Sequence, residues 1–312
     1  METPVFAPVI IGAGPVGRAL VDRLSARSLT PRLLTRSGSH AAGATAVRVD
    51  ATDATQLREA IEGADVVFQC AQPPYHQWVD HFPALQRAIL EACADAGAAL
   101  IAVENLYGYG THGRVVTEQM PLNPTSKKGE VRAAMSRELA AHHQDGRLRT
   151  AAVRASDFIG PEVTESAFGE RFFGRLVAGK SADVLGEPQT RHSVTYVPDL
   201  VEALIQVGSD PDSWGRAWHA PSAPAMTQAE MVEIVAAHLG VEPTYRRVSS
   251  IMLRLVGLTS ATVRETIEML PEFTDDFLMD SSDFEQRFDT APTPLPESLA
   301  ATADAYTRRS KA

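Results

Sequence analysis

Three glycines near the start of the chain have the spacing of a site for a negatively charged ligand. Gly12-Ala13-Gly14-Pro15-Val16-Gly17 follows the apolar run Val9-Ile10-Ile11 and leads into the helical-looking Arg18-Ala19-Leu20-Val21-Asp22-Arg23-Leu24. Gly12 permits a tight turn, Gly14 lets the backbone approach a pyrophosphate, and Gly17 allows a helix to pack closely on a strand. Backbone N–H groups of this turn and the helix dipole suit phosphate oxygens, with Pro15 and Val16 among the cofactor contacts. A dinucleotide is the ligand this pattern predicts. At the end of the second expected strand stands Thr35-Arg36-Ser37, where an acidic residue would accept from a ribose 2′-hydroxyl. Arg36 forks onto a 2′-phosphate and Ser37 adds a donor, so NADP(H) is favoured over NAD(H). Asp50 is placed to accept from the adenine amino group, with Ala51 beside it, and Asp53 to cap the next helix. Ala71 and Gln72, ending the fourth strand, pass along the cofactor.

Other residues point to the substrate. Tyr75, His76 and Trp78 follow the fourth strand, and Tyr107 and Tyr109 follow the fifth; aromatics with a polar edge suit a small organic molecule. His76 is the imidazole of this loop, a residue type suited to acid/base work near neutral pH. His142-His143 sits at a helix end, where the dipole favours it. Lys127, Lys128, Arg132 and Arg137 form a basic run that is either a working site or a solvated helix face. No cluster has metal-ligand spacing and no Gly-x-Ser-x-Gly elbow occurs, so neither a metal nor a serine nucleophile is expected.

The elements that must hold these residues alternate. Apolar runs predict strands at 8–12, 32–35, 46–49, 65–71, 98–103 and 150–155; helical patterns fall at 16–26, 54–62, 81–96 and 127–143. Right-handed βα units of this kind build an α/β fold, a Rossmann-type doubly wound parallel sheet. After Gly160-Pro161 the pattern changes to helices near 166–178, 199–207, 230–239, 260–270 and 296–306, with an extended piece at 192–197. The expected division is a nucleotide-binding domain at 1–165 and a smaller, mostly helical substrate lobe at 166–312, with some segments returning to the sheet.

Composition narrows the class. A chain of 312 residues, 44 % hydrophobic, can bury a substantial core. Its net charge of −10 and lack of a basic stripe argue against nucleic acid. Two cysteines far apart, Cys70 and Cys93, predict no disulfide framework, and no long apolar run or leader-like start predicts a membrane span, so a cytoplasmic protein is expected.

Taken together these residues resemble the extended short-chain dehydrogenase/reductases, the NAD-dependent epimerase/dehydratase family. The resemblance rests on the glycine turn, Val66-Val67-Phe68-Gln69-Cys70-Ala71, Tyr109-Gly110, Arg154 leading to Gly160-Pro161, Arg191-His192-Ser193-Val194, and Val197-Pro198-Asp199-Leu200. It implies a Ser or Thr that polarises the substrate, a Tyr that moves a proton, and a Lys that binds the nicotinamide ribose. Laid on that pattern without gaps, this chain has Asn105, Lys128 and Arg132 instead. Lys-x-x-x-Arg is similar to the isoflavone and pinoresinol reductase branch, which implies Lys128 as acid/base. Asn105 and Tyr107 would then orient the substrate, and Arg132 would contact ribose or phosphate. An amine beside other positive charges gives up its proton more readily. Tyr107 or Tyr109 is an alternative proton donor. The leading expectation is an NADP(H)-dependent reductase of a carbonyl or activated double bond in a small molecule. The alternatives are a nucleotide-sugar epimerase or dehydratase, where Arg191 would meet the diphosphate, and a catalytically silent NADP-binding regulator. The resemblance also implies a homodimer.

Overall fold

The computed structural model describes residues 6–110, 113–248 and 267–311. Packing divides the chain into two compact units that interleave in sequence. One comprises Met1–Gly108, Lys127–Arg154 and Leu200–Trp218; the other comprises Tyr109–Ser126, Ala155–Asp199 and His219–Ala312.

The first unit is built on a seven-stranded sheet. Its strands are β1 (Pro8–Ile11), β2 (Arg32–Thr35), β3 (Thr45–Arg48), β4 (Val66–Gln69), β5 (Ala99–Asn105), β6 (Thr150–Ala155) and β7 (Ala217–His219). The order is β7-β6-β5-β4-β1-β2-β3. Parallel register pairs Ile11 with Leu34 and with Gln69, and Gln69 with Ala102. This is the doubly wound order with one further strand at an edge. The helices are α1 (Pro15–Ser25), α2 (Ala54–Ile61), α3 (Trp78–Ala96), α4 (Lys127–Gln144) and α5 (Val197–Ser209).

Strand side chains alternate between two layers. Val9, Ile11, Leu34, Val67 and Leu100 share a core with Leu57 and Ile61 of α2, Phe82 and Ile89 of α3, and Met135 and Leu139 of α4. Phe68 points the other way: a Cβ on Gly208 of α5 would sit 2.7 Å from its ring. On that side Arg23 and Arg27 of α1 both pair with Glu202 of α5. Asp53 caps α2, accepting from the N–H groups of Thr55 and Gln56 at 3.0 and 3.1 Å. The one sizeable shift from the sequence-based boundaries here is α3. A 3-10 turn, Tyr75–Gln77, leads straight into Trp78, whose Nε1 donates to the Pro73 carbonyl at 3.1 Å and draws the loop onto the helix start.

The second unit is held by short ladders. Val115–Val116 runs parallel to Leu278–Met279, Asp157–Ile159 to Val194–Tyr196, and Ala182–Leu185 to Tyr245–Val248; Arg191–His192 pairs antiparallel with Met226–Thr227. Helices Gln228–Leu239, with its Thr227/Glu230 capping box, and Leu295–Lys311 close a core of Phe168, Phe172, Phe173, Val235 and Leu299. The helix expected at 166–178 is instead a π-helix, Glu170–Gly174, followed by one α turn, Arg175–Val177. Gly169 before it is pressed so closely on the Thr164 carbonyl that a Cβ would lie 2.3 Å from the oxygen. The helix expected at 260–270 lies outside the described residues as far as 266; from Ile267 the chain is a 3-10 helix, Ile267–Phe273, containing Pro271.

Candidate active site

The glycine turn joins β1 to α1, and each glycine meets a different steric demand. Gly12 has φ +106°, and a Cβ there would lie 2.7 Å from the Ala71 nitrogen. At Gly17 it would lie 1.9 Å from the Gly12 carbonyl oxygen, so this glycine lets α1 sit against β1. A Cβ on Gly14 would meet nothing within 4 Å. Gly14 is the N-cap of α1 and makes no side-chain capping bond, and Pro15 follows in the first turn. The turn therefore offers room and uncapped helix N–H groups at one place, which fits the pyrophosphate of a dinucleotide.

Arg36 and Ser37 are exposed beyond β2, with Ser37 Oγ 2.5 Å from Ser39 Oγ. Asp50, beyond β3, is also exposed. Its carboxylate accepts from the Thr52 N–H at 3.0 Å and the Thr52 hydroxyl at 2.8 Å. Those bonds, and then the charge of Arg36, hold the Asp50 carboxyl below its ordinary value. The residue expected to read adenine thus spends one oxygen on its own turn. Ala51 is half-buried, Ala71 backs Gly12, and Gln72 is exposed just past β4.

The basic run of α4 divides by helical period. Lys127 and Arg137 are exposed, whereas Lys128 is 1 % and Arg132 5 % exposed. A solvated helix face is thereby excluded for those two. Lys128 Nζ stands 4.6 Å from the centre of the Tyr75 ring. The Arg132 guanidinium lies 4.8 Å from the Phe82 ring and 5.9 Å from that of Trp78, and donates to the Val103 carbonyl at 3.2 Å. Cations over aromatic faces recover part of the hydration they lose. Arg132 Nε has no hydrogen-bond partner among the described residues. Burial, with the charge of Arg154 adding to it, holds Arg132 below the usual arginine range against the pull of Glu104.

Tyr75 and Tyr107 are half-buried and flank Trp78, their ring centres 5.0 and 6.1 Å from its own. Trp78 was expected at the substrate; it is 95 % buried and forms the floor beneath the two tyrosines. His76 is exposed on the 3-10 turn. Asn105 is half-buried at the end of β5, where its Oδ1 accepts from the Tyr107 N–H at 3.3 Å. Asn105, Tyr107, Tyr75, Lys128 and Arg132 thus belong to one unit with the glycine turn.

Tyr109, Arg191 and Asp199 lie in the second unit. Tyr109 is fully buried, and its hydroxyl is 3.0 Å from His219 Nε2, while His219 Nδ1 is 2.7 Å from the Asp280 carbonyl. A carbonyl requires a proton on Nδ1, so in the neutral ring Nε2 accepts from Tyr109. Burial in this relay sets Tyr109 away from a substrate-lining role. Arg191, expected at a diphosphate, is exposed and clasped by Asp276: backbone N–H to Oδ1 at 2.8 Å, Nε to Oδ2 at 2.9 Å. That contact holds Asp276 below the usual carboxylate range. Asp199 accepts from the Thr293 N–H and hydroxyl, both at 2.8 Å, two residues inside α5.

A second layer escaped the sequence reading. Glu104, buried in β5, receives Arg154 Nε of β6 at 2.9 Å, and Arg154 Nη2 donates to Ser136 Oγ of α4 at 2.6 Å. Glu104 Oε1 has no hydrogen-bond partner among the described residues. The signal was an acid directly after the apolar run Ala99-Leu100-Ile101-Ala102-Val103, which needs a buried cation when the strand carries it inward. Among the described residues no group of His, Cys, Asp and Glu could hold a metal ion, and no helix is long and apolar enough to cross a membrane. Burial pushes the Cys93 thiol up to about 12.

The model of the NAD dependent epimerase/dehydratase family matches residues 9–218. The chain belongs to that family. No curated protein matches it in sequence. Solved structures of similar fold include MoeE5 in complex with UDP-glucose and NAD, with 21 % identity, 98 % of this chain and 100 % of that one covered, and a TM-score of 0.79. The UDP-N-acetylglucosamine 4-epimerase of Methanobrevibacter ruminantium M1 has 17 % identity, 97 % and 99 % coverage, and a TM-score of 0.80. DesIV, a dTDP-glucose 4,6-dehydratase from Streptomyces venezuelae with NAD and TYD bound, has 18 % identity, 98 % coverage of both chains and a TM-score of 0.79. Family membership favours the epimerase/dehydratase alternative over the small-molecule reductase that the sequence reading put first.

Proposed function

We propose that this family member is an NAD(P)-dependent epimerase or dehydratase acting on a sugar nucleotide, with Lys128 handling the proton. The observation that carries the reading is the burial of Lys128 and Arg132, one helical turn apart, inside an aromatic shell beside the Asn105 strand end. Support for the substrate class comes from relatives of the same fold solved with UDP-glucose and with UDP-N-acetylmuramic acid. When bound, a nicotinamide dinucleotide accepts hydride from a carbinol carbon and can return it. The chain's own residues do the rest. Gly12, Gly14, Val16 and Gly17 receive the pyrophosphate, and Arg36 with Ser37 meets the ribose side, which favours a 2′-phosphate. Asn105 and Tyr107 orient the sugar hydroxyl. Lys128 Nζ takes the hydroxyl proton during oxidation and returns it during reduction. Arg132 keeps positive charge beneath the developing oxyanion.

The test replaces Lys128 with Met, which keeps the length of the side chain. Turnover of a panel of UDP- and dTDP-hexoses, followed by nicotinamide absorbance and product sugar analysis, is expected to fall about 10²- to 10⁴-fold. Dinucleotide affinity should stay within about threefold, because the pyrophosphate contacts are elsewhere. Retained turnover overturns the role of Lys128. Dinucleotide binding without turnover of any sugar nucleotide by the parent overturns the enzymatic reading in favour of a silent binder.

A further inference from the structure

In the second unit one carboxylate holds three arginines. Asp183 lies within the strand Ala182–Leu185, its side chain 3 % exposed. Arg171, on the π-helix, reaches Asp183 Oδ2 with Nε and Nη2, each at 2.9 Å. Arg246, from the paired strand Tyr245–Val248, reaches Oδ1 through Nε and Oδ2 through Nη2, the latter at 3.2 Å. Arg175 Nε sits 3.3 Å from Oδ1 and donates to the Ser181 carbonyl at 2.6 Å. The three arginine side chains remain 54 %, 50 % and 28 % exposed, in the order Arg171, Arg246, Arg175.

The arithmetic of charge and donors does not close within the protein. One guanidinium neutralises a carboxylate; three leave two positive charges over, and among the described residues these arginines pair with no other acid. A carboxylate offers about four acceptor positions, whereas three guanidiniums present about fifteen N–H donors. Asp183 at the base orders the forks, and their outer edges face solvent. Each fork touches the same carboxylate, so the three stand close together, and guanidinium forks pair bidentately with phosphate oxygens. Planar forks on a rigid base recognise phosphate better than flexible ammonium groups do.

We infer that the Arg171–Arg175–Arg246 cluster on Asp183 is a binding site for a phosphate-bearing small anion. The inference rests on these four side chains and stands apart from the catalytic reading of Lys128. The anion has two chemical sources, the diphosphate of a sugar nucleotide or a free phosphate or pyrophosphate.

The experiment is calorimetric titration of the full chain with pyrophosphate and with uridine diphosphate, at low and at moderate salt. Arg171→Gln/Arg246→Gln is expected to weaken binding at least tenfold. Arg309→Gln, an exposed arginine of the same unit that pairs with Glu170, should leave it unchanged. Affinity should also fall as salt rises. Tighter pyrophosphate than uridine diphosphate marks a site for the free anion; the reverse marks a site for the substrate's diphosphate. Arg171→Lys/Arg246→Lys guards against misfolding, since it keeps Asp183 compensated while removing the forks, and it too should weaken binding. Failure of both anions to bind, or binding that neither double variant changes, overturns the inference.

Discussion

The three glycines of the first turn predict two different phenotypes for one substitution, Gly→Ala. At Gly17 the added Cβ would lie 1.9 Å from the Gly12 carbonyl oxygen and 3.0 Å from its carbon. An ordinary contact needs about 3.4 Å, so α1 must move outward by roughly 1.5 Å, and overpacking of this kind destabilises by about 1–3 kcal/mol. At Gly14 the Cβ enters open space and φ is −71°, which alanine adopts freely. There the loss of a better N-cap residue and the stiffening of the unfolded chain, each about 0.5–1 kcal/mol and opposite in sign, leave stability nearly unchanged. Affinity is another matter, because that open space is where the pyrophosphate must approach. A methyl group there should weaken dinucleotide binding at least tenfold, about 1.4 kcal/mol. Gly12, at φ +106° and against Ala71, should behave like Gly17. Urea unfolding and titration with NAD+ and NADP+ separate the two effects. If Gly14→Ala binds dinucleotide as tightly as the parent, the ligand does not cross the turn at Gly14 and the assignment of the site fails.

Arg36→Ala should weaken NADPH by about 1.5–3 kcal/mol while barely changing NADH, since one charged contact to the 2′-phosphate is lost; equal losses by calorimetry would remove the case for NADP. Glu104→Gln leaves Arg154 buried without its counterion beside Arg132 and should destabilise by about 3–5 kcal/mol in urea; a change under 1 kcal/mol would mean the network is solvated in solution. Burial, with the charge of Asp157 adding to it, holds Glu272 well above 4.5. The folded state therefore keeps a proton that the unfolded chain gives up, and stability falls as pH rises from about 4.5 through the folded value. Glu272→Gln should remove that fall, so its urea midpoint gains on the parent's as the pH is raised above about 4.5. Parallel pH curves for the two proteins would refute it.

The doubly wound unit was legible because its signals are local. Each strand of the sheet core is a short apolar run, each helix has its own period, and the glycines fix where β1 meets α1. The direction in which α4 presents its basic residues was not legible. Its inner face carries Lys128, Arg132 and Ser136 among Met135 and Leu139, so no apolar stripe tells inside from outside. That Trp78 is floor and Tyr75 flanks it depends on a 3-10 turn that no periodicity marks. In the second unit, ladders of two to four residues owe their existence to distant partners, such as Val115–Val116 with Leu278–Met279. Residues 166–178 read as α-helix, yet 170–174 adopt a π turn that follows Gly169 and ends on Gly174, both in close contact with their neighbours.

The interleaved connectivity also sets a timetable for synthesis on the ribosome. When β6 has emerged, the sheet still lacks β7, and Phe68 still lacks the α5 backbone that packs against it at Gly208. Roughly 60 more residues must be made first, which takes about 3–12 s at ordinary elongation rates. During that interval the part of this sheet face that α5 covers is bare apolar surface and β6 is an open edge, the state in which chains pair wrongly or engage a chaperone. For the same reason no single proteolytic cut or gene truncation can release the dinucleotide-binding unit intact; one ending at residue 154 omits both α5 and β7.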